Sequence, residues 1–301
     1  MRRSHRVMWV VVASVTVGAP CALDAQQSIR MRYAPVVGQR ILTVWWFDVM
    51  STVSEGVGGA DDLTVESTGT RSLSHRVIDV QGDQRILEIR SDSMHARTKL
   101  ESGAWAALTD STGAPAGVRL TLDDRMRVLD VERLAEEATG HARLVPFRAF
   151  STGMEFALPE SAVDVGQSWV SDVVLPLHEP SGIEEEVEVS TWLQRVGDLV
   201  ARSTFTLDSL VDRGTDTLAF LRVQGTFLPT TIASPVEAAE GRARVGGTFA
   251  GRMIWSTGWN AFVSGAVRTR VHVATFLGTP QDESPGVSAT VDVTSRFQVR
   301  Q

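Results

Sequence analysis

Hydrophobic and polar residues alternate with a period of two along most of this chain. In the last segment Ala289, Val291, Val293 and Phe297 fall on one side, and Thr290, Asp292, Thr294 and Arg296 on the other. Val187, Val189 and Leu193 alternate with Glu186, Glu188 and Ser190, and Val267, Val271 and Val273 with Arg268, Arg270 and His272. One dry face and one wet face is the pattern of half-buried antiparallel strands; parallel strands between helix layers would read as continuous apolar runs.

Turn residues separate these runs at hairpin distances. Gln81-Gly82-Asp83-Gln84 stands between Val77–Val80 and Ile86–Ile89, Asp123-Asp124 between Val118–Leu122 and Met126–Val131, and Gly258-Trp259-Asn260 between Arg252–Trp255 and Phe262–Val267. Short polar or glycine-bearing links between alternating runs predict β-hairpins. Two segments carry a helical period instead. After Asp130, Val131, Leu134, Ala135 and Ala138 recur at helical spacing up to Gly140, and Ser234-Pro235-Val236-Glu237 forms a capping box closed by Gly241. The expected fold is therefore mainly β: long antiparallel strands in a curved sheet or half-barrel, with two or three short helices against it.

One strand departs from the alternation. Between Ile41 and Val53, Leu42, Val44, Trp46 and Met50 share one face, and Ile41, Trp45, Phe47, Val49 and Val53 the other. Neither face is polar, so both should be covered, by core alone or by core on one side and an apolar ligand on the other. Trp45, Trp46, Phe47, Val49 and Met50 are the candidate ligand-binding residues. Trp192, beside Glu188 and Ser190, and Trp259, at a hairpin tip, are the candidates for surface contact.

Residues 1–25 change the picture of where the chain works. Arg2, Arg3 and Arg6 precede an apolar run from Val7 to Val17, and Leu23-Asp24-Ala25 supplies a small residue at a cut site. That is the layout of a secretory signal peptide, and the run is too short to span a bilayer. Export to the periplasm or the extracellular space is expected, with no transmembrane span after cleavage. Cys21 is the one cysteine, and Pro20 directly before it is a poor match to a lipoprotein cut site, so no lipid anchor is expected there. Residues 26–301 are then a single cysteine-free β-rich domain. Removing three arginines and Asp24 takes the formal charge from −7 to −9, which argues against nucleic acid as a partner.

Candidate chemistry is sparse. Serine-hydrolase elbows, His-Glu-x-x-His pairs and phosphate-binding loops are absent, and the sole lysine, Lys99, has no serine three residues before it. His75, His95, His141, His178 and His272 are scattered. His75 and His272 lie within alternating strands and read as solvated or hydrogen-bonded strand residues. Asp208, Asp212 and Asp216 recur around Arg213-Gly214 and read as turn-forming residues of a hairpin tip. No cofactor and no metal are expected, and no catalytic residue is nominated.

Val37-Gly38-Gln39 recurs as Val165-Gly166-Gln167, each before a long strand. Two duplicated β units, about 26–140 and 163–301, would account for this, as would chance. With the segments Arg32–Gln39, Leu158-Pro159 with Val165–Trp169, and Gly117–Val131, the chain resembles an exported bacterial β-rich family of unknown function. It is similar in layout to lipoprotein-carrier half-barrels. That resemblance implies an apolar cavity and a lipid-like ligand. An envelope protein partner, or a hydrolase assembled from distant strands, are the alternatives.

Overall fold

The computed structural model describes residues 27–55, 62–101, 103–109, 117–134, 157–175, 199–233, 242–276 and 287–300. The strands are β1 (Ser28–Ile29), β2 (Arg40–Glu55), β3 (Leu63–Gln81), β4 (Gln84–Leu100), β5 (Ala106–Thr109), β6 (Gly117–Leu122) and β7 (Val128–Arg133). They continue as β8 (Val163–Asp164), β9 (Ser168–Leu175), β10 (Leu199–Asp212), β11 (Thr217–Ala233), β12 (Arg242–Ser256), β13 (Ala261–Phe276) and β14 (Val287–Arg300). A single antiparallel sheet takes twelve of them in the order β7-β6-β4-β3-β2-β14-β13-β12-β11-β10-β9, with β5 also on β4. It is curved and does not close: β7 and β9 are its edges.

The topology is two meanders joined side by side. β2 to β7 run outward to one edge, β9 to β14 run inward from the other, and β14 pairs with β2 from Arg300↔Leu42 to Val287↔Glu55. All three predicted hairpins are present, at Gln81–Gln84, Leu122–Val128 and Ser256–Ala261. The first bends at Gly82 (φ 62°), the second at Met126 (φ 64°) and the third at Asn260 (φ 48°). In the second, the Asp123 carboxylate accepts the backbone N–H groups of Arg125 and Arg127, at 2.9 and 2.8 Å, as an aspartate turn does.

No helix occurs among the described residues. The helix expected after Asp130 is corrected at its start, because Asp130–Arg133 belong to β7 and pair with Val118–Thr121. A bulge explains the misleading spacing. Leu129 is an extra residue between Val128↔Leu122 and Asp130↔Thr121, so Val128 and Val131 both point at the core three positions apart. The rest of that segment, the capping box at 234–237, the alternation at 187–193 and residues 1–26 lie outside the described residues.

The two Val-Gly-Gln segments make the same turn. The Gly38 and Gly166 N–H groups donate to the carbonyls of Val77 (2.9 Å) and Leu207 (2.7 Å), and Val77 and Leu207 donate back to Gln39 and Gln167, both at 3.0 Å. Each glutamine side chain then accepts from the backbone N–H three residues earlier, Val36 and Asp164. The glycines sit at φ 85° and 88°, a left-handed conformation that excludes most side chains. A bulge follows each partner, between Val77 and Asp79 and between Leu207 and Ser209.

The core is gathered at the hairpin end of the sheet. Leu73, Val77, Leu87, Ile89 and Leu120 pack there with Phe205, Leu207, Leu221, Met253, Trp255 and Phe262. Ile29, Met31, Tyr33, Leu158 and Val163 join the same cluster, so the segments flanking β1 and β8 close that end. Arg32 fastens them: it donates to the Pro159 carbonyl at 2.6 Å and pairs with Asp124 at 3.1 Å.

Four direct cross-strand pairs on the core face join glycine to phenylalanine: Gly69–Phe47, Gly225–Phe249, Gly247–Phe227 and Gly265–Phe297. Each ring lies over the bare backbone; a Cβ added to Gly225 would sit 2.2 Å from the Phe249 ring. The ring recovers the contact area that glycine lacks, an arrangement suited to a strongly curved sheet.

Candidate functional site

The five candidates on β2 divide by parity. Trp45, Phe47 and Val49 lie on the core face and Trp46 and Met50 on the opposite face, so they cannot line one cavity. Trp45 packs on the core 4.8 Å from the Phe297 ring, with its Nε1 buried and unpartnered. Phe47 is buried under its glycine, Val49 is half-buried, and Met50 is 47% exposed. Trp259 is half-buried and packs against the core, with its backbone N–H donating to Ser256 Oγ at 3.1 Å. Trp192 lies outside the described residues.

Beyond Phe47, away from the closed end, the core face carries valines among small hydroxyl residues, Ser67, Thr98, Thr269 and Ser51, and its burial falls. Val49 and Val293 are row neighbours, then Val65, Val291 and Val271 continue one row on, and all five are half-buried. Val53 follows, and Leu63 and Leu100 at the margin are 39% and 53% exposed. Covering a half-exposed valine is worth on the order of 1 kcal/mol. The strip is thus a valine-rich ledge of modest affinity, interrupted by Ser51 and Ser67, that adjoins a packed core.

The opposite face is polar and rich in arginine. Arg202–Asp172, Arg222–Asp208 and Arg270–Asp292 are paired there at 2.8, 2.6 and 2.8 Å. These hydrogen bonds hold the Asp172 and Asp292 carboxyls below the usual carboxylate range. His272 shares this face and meets Thr290 Oγ1 at 3.0 Å, as its alternation implied. An open groove of about 780 Å³ crosses the face, bounded by Trp46, Asp208, Phe220, Arg252, Ile254 and Arg296 among others.

His75 corrects its sequence reading. It is in phase with Leu73 and Val77, so it faces the core at 4% exposure, and its Nε2 has no partner. Burial lowers its pKa to about 4. It borders a cavity of about 20 Å³ together with Tyr33, Ile41, Leu87, Ile89 and Phe262, room for one water at most. Burial pushes the Tyr33 hydroxyl up, against the opposing charge of Arg85.

The three aspartates around Gly214 have separate structural tasks. Asp208 pairs with Arg222, and Asp212 accepts the Gly214 N–H at 2.8 Å. Asp216 reaches the neighbouring hairpin, accepting from Ser256 Oγ at 2.8 Å and the Gly258 N–H at 2.7 Å. Partial burial acts to raise its pKa, and the hydrogen bonds from Gly258, Ser256 and Thr257 outweigh that and lower it. Among the described residues no group of three His, Cys, Asp or Glu is placed to hold a metal, and no helix is long and apolar enough to cross a membrane.

Known proteins are matched by shape only. No protein-family model matches the chain, and no curated protein does. A solved structure described as lipid-protein interactions in lipovitellin aligns with 89% of this chain at 10% identity and a TM-score of 0.49; the chain spans 25% of that one. An outer membrane channel from Pseudomonas putida F1 aligns over 89% of this chain and 97% of its own, at 10% identity and a TM-score of 0.27. Both scores are too low to assign the sheet to either architecture.

Proposed function

We propose that the chain is an exported binding protein whose body, residues 26–301, holds an apolar or amphipathic ligand such as a lipid on the core face of its sheet. The observation that carries this reading is the half-buried valine ledge beyond Phe47, continuous with the core and facing away from the arginine-bearing side. Val49, a candidate from the strand pattern, begins that ledge, and Trp45 and Phe47 form its floor where it meets the core. The open sheet is in keeping with the half-barrel layout that the resemblance implied. In the same reading the body is one domain of two duplicated halves, which the matched turns at Gly38 and Gly166 support.

The test is native mass spectrometry of protein purified from its own envelope without detergent, followed by titration with a fluorescent acyl probe. A stoichiometric lipid-like adduct is expected. Val291→Asp should weaken the probe at least about tenfold, since a carboxylate would have to be buried against the acyl chain. Thr294→Asp, on the opposite face, should leave it unchanged. A clean apoprotein together with equal probe binding by both variants refutes the ledge as a binding surface. Unfolding of Val291→Asp alone makes the ledge core.

A further inference from the structure

On the face away from the ledge, two adjacent cross-strand rows differ in chemistry. One runs Phe220, Ile254, Ser264, Gln298 across β11, β12, β13 and β14, and it is neutral. The next runs Arg222, Arg252, Ala266, Arg296 to Trp46 on β2, and it is cationic. The groove of about 780 Å³ lies along both rows. Ala266, short and exposed, stands between Arg252 and Arg296, which flank it on the two neighbouring strands. Two strand spacings, roughly 10 Å, separate their backbones, well within the reach of two guanidinium groups.

Among the described residues, the arginines of this face fall into a paired set and an unpaired set, and Arg268 and Arg300 belong with the unpaired ones. Arg202, Arg222 and Arg270 each have an aspartate within 2.8 Å. Arg252 and Arg296 have no carboxylate partner among the described residues, in a chain whose formal charge is −7. Arg296 instead stacks 5.2 Å from the Trp46 ring centroid, with Arg300 at 6.0 Å. A ring under a guanidinium fixes its plane and leaves its N–H edge free for an oxyanion.

We infer that this groove binds an amphipathic anion, with its phosphate or carboxylate headgroup held between Arg252 and Arg296 and its apolar stem along Phe220 and Ile254. The headgroup supplies the two negative oxygens that a guanidinium takes in a forked pair. The neutral row beside it favours an amphiphile over a free anion. Ser264 and Gln298 line the groove within reach of the headgroup. Trp46 is a positioning residue that acts through Arg296. The site lies on the other side of the sheet from the valine ledge and does not depend on it.

Isothermal titration of the folded protein with octyl phosphate, kept below its micellar concentration, tests this. Saturable binding that weakens with added salt is expected. Arg252→Gln and Arg296→Gln should each cost roughly tenfold or more in affinity, the usual weight of a hydrogen bond to a charged group. Arg270→Gln, a paired arginine of the same face, should cost little, and Val291→Asp should leave binding intact. Octanol should not bind, and inorganic phosphate should bind more weakly with the same dependence on Arg252. Equal losses in Arg252→Gln and Arg270→Gln, or salt-independent binding, overturn the assignment. Inorganic phosphate binding as tightly as octyl phosphate overturns the amphiphile and leaves a free-anion site. Trp46→Phe should give an intermediate loss that disappears in the Arg296→Gln background, which a role independent of Arg296 would not produce.

Discussion

Lowering the pH should destabilise the fold through His75. Its folded pKa is about 4, against an ordinary 6.5, because burial disfavours the charged ring. The folded state therefore binds fewer protons than the unfolded state between these values. Stability from this residue is fully present above about pH 6.5 and is lost as the pH falls towards about 4. Linkage gives a loss of roughly 2.5 kcal/mol between about pH 7 and pH 4.5. The ring has no nearby charge to compensate it: the lining of its cavity is apolar except for Tyr33, which stays neutral in this range. Urea denaturation across that range, comparing the parent with His75→Phe, isolates the effect, since phenylalanine keeps an aromatic ring and removes the titration. The paired aspartates have lowered pKa values and act mainly below this window, in both proteins alike. The parent should lose the larger share of stability. Parallel pH profiles for the two proteins would show that His75 is not buried as a neutral ring, and the reasoning would fail.

Other expectations concern the turns and the close contacts. Asp216→Ala should cost about 2 kcal/mol, because Ser256 is fully buried and loses its acceptor; hydrogen exchange should rise at 256–260 before it does elsewhere. Gly38→Ala and Gly166→Ala should each cost about 1 to 2 kcal/mol by thermal denaturation, since both force a side chain into a left-handed backbone. Unequal costs would argue against equivalent turns. Gly225→Ala should cost about 1 to 3 kcal/mol through overpacking, with its Cβ 2.2 Å from Phe249 and 2.3 Å from the Arg202 carbonyl oxygen.

Period-two parity made much of the sheet legible. The faces of β2, β13 and β14 and all three hairpins could be read from residue order, because a half-buried strand must alternate. His75 was legible by the same rule, from Leu73 and Val77, and was missed because residue type outweighed phase. The start of the helix after Asp130 failed for a definite reason: an edge-strand bulge at Leu129 mimics helical spacing, and pairing with β6 decided the outcome. The candidate site was only half visible. Parity placed Trp46 and Trp45 on opposite faces, but nothing local could bring Arg252 and Arg296 to either side of Ala266. That requires knowing which strands are neighbours, a property of the whole chain.

The glycine–phenylalanine pairs bear on how such a sheet can change over time. At Gly225 and Phe249, enlarging the first without trimming the second creates a clash, and trimming the second alone opens a void over bare backbone. Each single step crosses a fitness valley that the double step avoids, so each pair behaves as one heritable character written at two positions. Gly225→Ala combined with Phe249→Leu should recover stability that each change loses alone, and descendants of this chain should carry the old pair or a new one, seldom a mixture.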